Sequence, residues 1–154
     1  MKKYFFAILA LAFAMPAYSQ WVTKRVDNKI DLPYKIAYCT SSNQRGLLKM
    51  ENVDGELSIY VTGSYFCDES LTVDLAFVIG TETKRYSIEG YKSSDSRTVF
   101  LVDNLLSEEN TEMLSDFKKC SQVVMRVNES HCTSEMYKFT MTGSTAAVQF
   151  MSTN

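Results

Sequence analysis

The residues of this sequence that could carry out nucleophilic chemistry lie around its single histidine. His131 stands in residues 128–133, a stretch with the composition of a turn. A serine or cysteine nucleophile needs a base within hydrogen-bonding reach, and Ser130 and Cys132 are the direct neighbours of His131. His131 would have to fold back on Ser130 to act as its base, and the chain contains no Gly-x-Ser-x-Gly sequence. This stretch therefore predicts a surface loop rather than a catalytic centre.

Paired carboxylates are a second source of possible chemistry, because glycosidases use one carboxyl group in an apolar pocket as an acid. The candidates are Asp68-Glu69 and Glu108-Glu109, and both pairs lie in polar, turn-like stretches without such a pocket. Residues 51–56 place acids around a glycine but lack the one-three-five-twelve spacing of a calcium loop. We therefore assign no catalytic residue, and an enzyme with an unrecognised carboxylate site is kept as an alternative.

The four cysteines predict disulfides if the chain is exported, because an oxidising compartment does not keep thiols reduced. They are Cys39, Cys67, Cys120 and Cys132. A zinc site is less favoured, since the chain has no Cys-x-x-Cys pair and its one histidine adjoins a cysteine. We predict no metal and no cofactor. Four cysteines allow three pairings, and we favour Cys39–Cys67 with Cys120–Cys132 because each would close a short local loop.

The first 19 residues predict export. Two lysines are followed by an apolar run, a proline, and small residues at Ala17 and Ser19, which is the three-part pattern of a secretory signal cut between Ser19 and Gln20. The apolar run is shorter than the roughly 20 residues that span a bilayer. We therefore expect no stable membrane anchor after cleavage. The short signal has a bacterial form, so the predicted location is the periplasm or the medium.

Cleavage would leave residues 20–154, enough for a single β-rich domain. Loss of Lys2 and Lys3 changes the formal net charge from −2 to −4. A mildly acidic chain without a cluster of lysine and arginine is a poor ligand for nucleic acid. We predict a protein or a cell-envelope component as the partner.

Alternation of apolar and polar residues is the main structural pattern of the chain, and it predicts half-buried strands. It is clearest over residues 71–79 and recurs over residues 57–61, directly after an Asp54-Gly55 pair that favours a tight hairpin. Further strands are predicted at 84–88, 98–102, 122–127 and 135–141, and a less regular one at 34–39.

Residues 110–119 break the alternation and predict a short helix. Met113, Leu114 and Phe117 fall at helical spacing, with an acid in the first turn and two lysines in the last. Residues 143–150 fit either a helix or a last strand. The predicted fold class is mainly β, an antiparallel β-sandwich or barrel with one short α-helix at about 110–119, stabilised by disulfides.

Aromatic side chains are the remaining candidates for functional residues, as contacts to a binding partner. Exposed tyrosines on a rigid sheet suit partner binding, since they bring a large contact area at little entropic cost. Tyr60 falls on the strand face opposite Leu57 and Ile59. Tyr65 and Phe66 follow shortly, and Tyr91 comes soon after Tyr86. The predicted partner-binding residues are Tyr60, Tyr65, Phe66 and Tyr91.

The order of features from residue 71 to residue 150 resembles a family of small exported proteins. Predicted strands at 71–75, 86–88 and 98–101 precede the short helix, a strand at 123–127 follows it, and the chain closes on residues 139–147. That closing stretch contains Phe139 and Gly143 in a Phe-x-x-x-Gly motif followed by alanine. The pattern is similar to type VI secretion-associated proteins of the VasI kind and their prophage-borne relatives. The resemblance implies an accessory protein rather than an enzyme.

A second resemblance covers residues 65–73. They place an aromatic residue two positions before a cysteine, here Tyr65 and Cys67, and then a strand from Leu71, which is similar to the opening of bacterial periplasmic lysozyme inhibitors. Those proteins are small exported β-barrels with a disulfide. The expected function is that of an exported, non-enzymatic binding or accessory protein of the bacterial cell envelope. The alternative within the binding class is a periplasmic inhibitor of a lytic enzyme.

Overall fold

The computed structural model describes residues 21–27 and 33–153 and shows a mainly antiparallel β fold, which confirms the predicted fold class. The predicted signal, residues 1–19, lies outside the described residues. Two short α-helices and a 3-10 turn at Glu108–Asn110 accompany the strands. The elements are β1 (Val22–Val26), β2 (Tyr34–Thr40), β3 (Leu47–Val53), β4 (Glu56–Thr62), β5 (Ser70–Ile79), β6 (Glu82–Lys92), β7 (Thr98–Val102), α1 (Thr111–Lys119), β8 (Gln122–Asn128), β9 (Glu135–Thr140) and α2 (Ser144–Ser152).

The nine strands form one sheet in the order β1-β2-β3-β4-β7-β6-β5-β8-β9. The apolar side of every alternating strand faces a common core, so Leu48 of β3 and Met125 of β8 border the same small internal space. Strands from both halves of the sheet thus meet around one interior. The single sheet is therefore curved around one core.

Local turn chemistry sets the register of the hairpins. Asp54 and Gly55 have φ angles of 53° and 91° between β3 and β4, as the predicted tight turn requires. The β5–β6 hairpin turns at Gly80, whose φ is 61°. This hairpin is the longest pairing in the sheet, with ten matched residue pairs from Ser70–Tyr91 to Ile79–Glu82.

The two helices close one end of the curved sheet, here called the helix end. Phe117 of α1 packs edge-on against Trp21 and Phe77, with ring centroids 5.9 and 6.3 Å apart. Residues 143–150, which fitted a helix or a strand, begin α2, and its C-terminal carbonyl at Phe150 accepts a 3.0 Å hydrogen bond from Lys35 Nζ. A lysine at this position also complements the negative end of the helix.

The opposite end of the sheet carries the disulfide and is called the disulfide end. Cys67 and Cys132 are bonded across a Cα–Cα distance of 6.1 Å, so the favoured pairings Cys39–Cys67 and Cys120–Cys132 are wrong. The physical reason is that β5 and β8 pair with Thr72 opposite Asn128. This pairing brings the loop before β5 beside the loop after β8.

The other two cysteines lie in the core instead of in local loops. Cys39 is buried on the inner face of β2, opposite Leu48. Cys120 follows α1 and keeps a thiol, which donates to the Phe117 carbonyl at 3.5 Å. Burial raises the pKa of the Cys120 thiol to about 12, so it is an inert core side chain rather than a reactive one.

Candidate functional site

A row of aromatic side chains crosses the outer face of the sheet on three neighbouring strands. Phe100 of β7 lies opposite both Tyr60 of β4 and Tyr91 of β6. Tyr91 is 57% exposed and Phe100 39% exposed. These two side chains form an aromatic patch in fixed register on a rigid sheet.

Two of the four predicted partner-binding residues are exposed and two are not. Tyr65 is 61% exposed in the loop after β4, and Tyr91 is in the aromatic patch. Tyr60 lies on the outer face as predicted but is only 8% exposed, because the Phe100 ring and Lys49 cover it. Its hydroxyl donates to Glu51 at 2.9 Å. Tyr60 therefore packs against Phe100 of the patch and is too buried to contact a partner.

Phe66 is fully buried, which corrects the prediction of an exposed residue. The loop that carries it folds inward, since the Phe66 N–H donates to the Ser96 carbonyl at 2.8 Å. The ring lies so close to Gly63 that a Cβ there would be 2.8 Å from it. Sequence reasoning missed Phe100, whose position between the buried Val99 and Leu101 was the available signal.

The sheet opens beside the aromatic patch. Strand β7 pairs with β6 only through Tyr91–Phe100 and Lys92–Val99. The register of β7 against β4 shifts between Ile59 and Tyr60, where Leu101 is the extra residue, and such a bulge bends a strand. Residues 82–90 of β6 therefore have no strand partner on that side within the described part of the chain, and this stretch is called the open edge.

The open edge carries backbone groups that pair with no other described residue. The Lys92 N–H donates to the Glu69 carbonyl at 3.0 Å, so Lys92 turns its backbone toward β5. Alternate residues of an antiparallel strand turn to opposite neighbours, so Tyr91 turns toward β7. The residues of the open edge whose N–H and C=O groups face away from β5 are then Thr83, Arg85, Ser87 and Glu89.

Side chains hold β6 in place without using these backbone groups. Lys84 on the inner side forms ion pairs with Glu112 at 3.1 Å and with the buried Asp116 at 3.2 Å. The Tyr86 hydroxyl donates to Asp116 at 2.5 Å, and desolvation together with this bond raises the pKa of the tyrosine. Helix α1 thus anchors the strand while leaving its edge open.

An acidic groove runs between the open edge and the chain that follows β7. It has a volume of about 280 Å³ and includes both residues of the aromatic patch at its wall. Its charged lining residues are all carboxylates, Glu89, Asp103 and Glu109. The groove therefore combines negative charge, exposed rings and unpaired backbone groups.

The histidine forms a pair with a carboxylate at the disulfide end. His131 Nδ1 lies 2.6 Å from Asp68 Oδ1, and the His131 side chain is 83% exposed. The Ser130 N–H donates to the same carboxylate, and this bond and the histidine lower the pKa of Asp68. Among the described residues, His131 has no hydrogen bond to a serine or cysteine side chain. The pair holds the loop after β8 against the loop before β5.

The predicted carboxylate pairs and the cysteines take structural positions. Glu69 forms an ion pair with Lys92 at 3.0 Å, and Glu108-Glu109 begin the 3-10 turn. Within the described ranges, one group of potential metal ligands is found, Cys67, Glu129 and Cys132. Its two sulfur atoms are bonded to each other, so they are not available as thiolate ligands.

Within residues 21–27 and 33–153, no helix is long and apolar enough to cross a membrane. Comparison of the chain with protein-family models, with curated proteins and with solved structures finds no match.

Proposed function

We propose that this chain is an exported binding protein of the bacterial cell envelope that acts by contacting another protein through the outer face of its sheet. The aromatic patch of Tyr91 and Phe100 carries the proposal, since both rings stand exposed on a rigid, paired backbone. Tyrosine and phenylalanine are enriched at the cores of protein interfaces, and tyrosine is enriched among the residues that contribute most to binding. No covalent step is needed for this role.

Two features support export. The first 19 residues have the pattern of a secretory signal. The Cys67–Cys132 disulfide joins two loops that are 65 residues apart in sequence, and structural disulfides are typical of oxidising compartments. The accessory role implied by the resemblance to VasI-like proteins agrees with this location.

Inhibition of a lytic enzyme is the second candidate function, and Tyr65 favours it. This tyrosine is 61% exposed and lies two residues from the disulfide that fixes its loop. A rigid loop with a projecting aromatic ring could enter the cleft of a glycan-cleaving enzyme. In this case Tyr65, rather than the aromatic patch, would carry the binding energy.

Affinity capture with matched variants tests these proposals. The oxidised chain from Gln20 is immobilised and exposed to envelope extract and to a panel of lysozymes, and the retained proteins are identified by mass spectrometry. We expect the double variant Tyr91→Ser, Phe100→Ser to lose its partner and Tyr65→Ser to keep it.

The opposite pattern, with retention of a lysozyme whose activity falls on binding, would favour the inhibitor. Retention of secretion-machine or outer-membrane proteins would favour the accessory role. Equal retention by both variants would contradict binding through either surface. An activity lost on substitution of His131 or Asp68 would instead indicate an enzyme.

A further inference from the structure

We propose that an extended, basic segment of the partner protein adds as a strand to the open edge of β6 and places its cationic side chains in the acidic groove. This inference rests on the proposed function, because it states what kind of partner segment the binding surface takes. The inference is based on three neighbouring features of the surface: the open edge, the acidic groove and the aromatic patch.

The backbone supplies the first argument. Four residues of the open edge, Thr83, Arg85, Ser87 and Glu89, turn both of their backbone hydrogen-bonding groups away from β5. Most of the strand is exposed, unlike β5, in which exposed and buried residues alternate. An extended peptide can pair with such an edge through main-chain bonds and take its specificity from side-chain pockets.

Charge supplies the second argument. The charged side chains that line the groove are Glu89, Asp103 and Glu109. A segment with lysine or arginine at alternate positions would place its cations on this side, since successive side chains of a strand point to opposite faces. An acidic segment would meet three like charges. Arg85, the one cation among the four residues that face the open edge, does not line the groove. A partner segment that is basic where it lies in the groove is therefore favoured.

The aromatic patch supplies the third argument, because it stands where the open edge ends. Tyr91 and Phe100 are the last matched pair before β6 and β7 part. One end of an added strand would therefore contact the exposed rings of Tyr91 and Phe100, which offer it an apolar or cation–π contact. Main-chain pairing and aromatic anchoring would act on the same segment.

A second copy of the chain fits this site less well than a separate segment does. Strand β6 lies between β5 and β7 in its own sheet. For two copies to pair symmetrically through their open edges, each would have to bring β7 and the loop after it into the same gap. We therefore expect the occupant to be a single extended segment.

The test uses two labelled eight-residue peptides and two variants at one position. One peptide alternates lysine with valine and the other alternates glutamate with valine. Ser87→Pro removes the N–H that faces the open edge, and proline is tolerated at such an edge. Ser87→Ala is the matched control, since both variants lose the 2.9 Å hydrogen bond from Ser87 Oγ to Asp74.

We expect the lysine peptide to bind the purified, oxidised protein and the Ser87→Ala variant alike in fluorescence polarisation. Binding to Ser87→Pro should be about tenfold weaker, as expected for the loss of one or two strand hydrogen bonds. Amide exchange at Ser87 and Glu89 should slow when the peptide is added. Equal affinities of the two variants, or equal binding of the glutamate peptide, would overturn strand addition.

A charge variant covers the case in which Ser87→Pro does not fold. Glu89→Gln with Asp103→Asn should weaken binding several-fold at low salt, and the difference should shrink in about 1 M salt. Asp27→Asn, an exposed acid beside β1, is the control. Unchanged affinity in the charge variant would contradict a basic occupant. Sedimentation as a dimer that Ser87→Pro disrupts would assign the edge to a second copy and overturn the proposal.

The two proposals fail in different ways. If Tyr91→Ser with Phe100→Ser abolishes capture of the partner while Ser87→Pro and the charge variant bind the peptide normally, the proposed function stands and strand addition is rejected. If none of these substitutions changes any binding, both proposals are rejected.

Discussion

The two ends of the curved sheet are closed by different kinds of interaction. At the helix end, α1 and α2 bury apolar side chains such as Phe117 and Met151 in the core. At the disulfide end, the Cys67–Cys132 bond and hydrogen bonds to carboxylates such as Asp68 hold the loops together. Closure by apolar packing depends on how completely side chains fill the core. Closure by a disulfide and by carboxylates depends on the cysteines being oxidised and the carboxyl groups being deprotonated. The two ends should therefore fail under different conditions.

The largest effect is expected at the helix end. Phe117→Ala should lower the free energy of unfolding by about 3 to 5 kcal/mol, because it removes a buried ring and leaves a cavity between Trp21 and Phe77. Urea denaturation measures the loss. Phe100→Ala makes the same change at an exposed position and should cost much less. Equal losses in the two variants would contradict closure by apolar packing.

Removal of the disulfide should come next in size. Cys67→Ser with Cys132→Ser should lower the free energy of unfolding by about 2 to 4 kcal/mol, since the bond closes a loop between residues 65 apart in sequence. Reductant should bring the native protein to the same stability and leave the double variant unchanged. A double variant as stable as the oxidised protein would show that the polar bonds alone close this end.

Steric crowding at the disulfide end should give a smaller effect. Gly63→Ala would place a Cβ 2.0 Å from the Tyr137 hydroxyl, and overpacking of this kind costs about 1 to 3 kcal/mol. Tyr137→Phe removes that hydroxyl and its bond to Glu135. The double variant measured by urea denaturation should be more stable than the sum of the single losses indicates. Strict additivity would contradict the close contact.

The smallest expected effect depends on pH. The pKa of Asp68 is lowered in the folded state, so its carboxylate stabilises the fold above the unfolded pKa of about 3.9, and this contribution is lost as the pH falls through the folded value. Asp68→Asn should therefore lower the thermal midpoint more at pH 7 than at pH 2. Glu56→Gln, an exposed acid at the start of β4, is the control. A difference as large at pH 2 as at pH 7 would contradict this linkage.

The sequence predicted the strands whose two faces differ. Residues 57–61 and 71–79 alternate in sequence and form β4 and β5. In β5 one side meets the core and the other is largely exposed, whereas in β4 the outer Tyr60 is covered. Strand β1 was not predicted, since it lies at the sheet edge and four of its five residues are exposed. Helix α2 was left undecided because alanine and valine suit either structure in so short a stretch.

The candidate site depends on contacts between distant residues, which period-two patterns do not contain. Tyr60 was placed on the correct face, yet its cover by Phe100 follows from the pairing of β4 with β7. The partner of Cys67 follows from the pairing of β5 with β8. The open edge exists because β7 pairs with only the last two residues of β6. No local sequence pattern along β6 indicates this.

The position of β7 between β4 and β6 also has a consequence for the order of assembly. The hairpins β3–β4, β5–β6 and β8–β9 join strands that are neighbours in sequence, whereas β7 joins Val102 to Ile59 across the whole β5–β6 hairpin. Contacts between distant residues form slowly because the chain must first lose the entropy of a long loop. The pairing of β5 with β8 is also long-range, since it sets Thr72 opposite Asn128. We expect the hairpins to form early and these two pairings, β4 with β7 and β5 with β8, to close last during refolding.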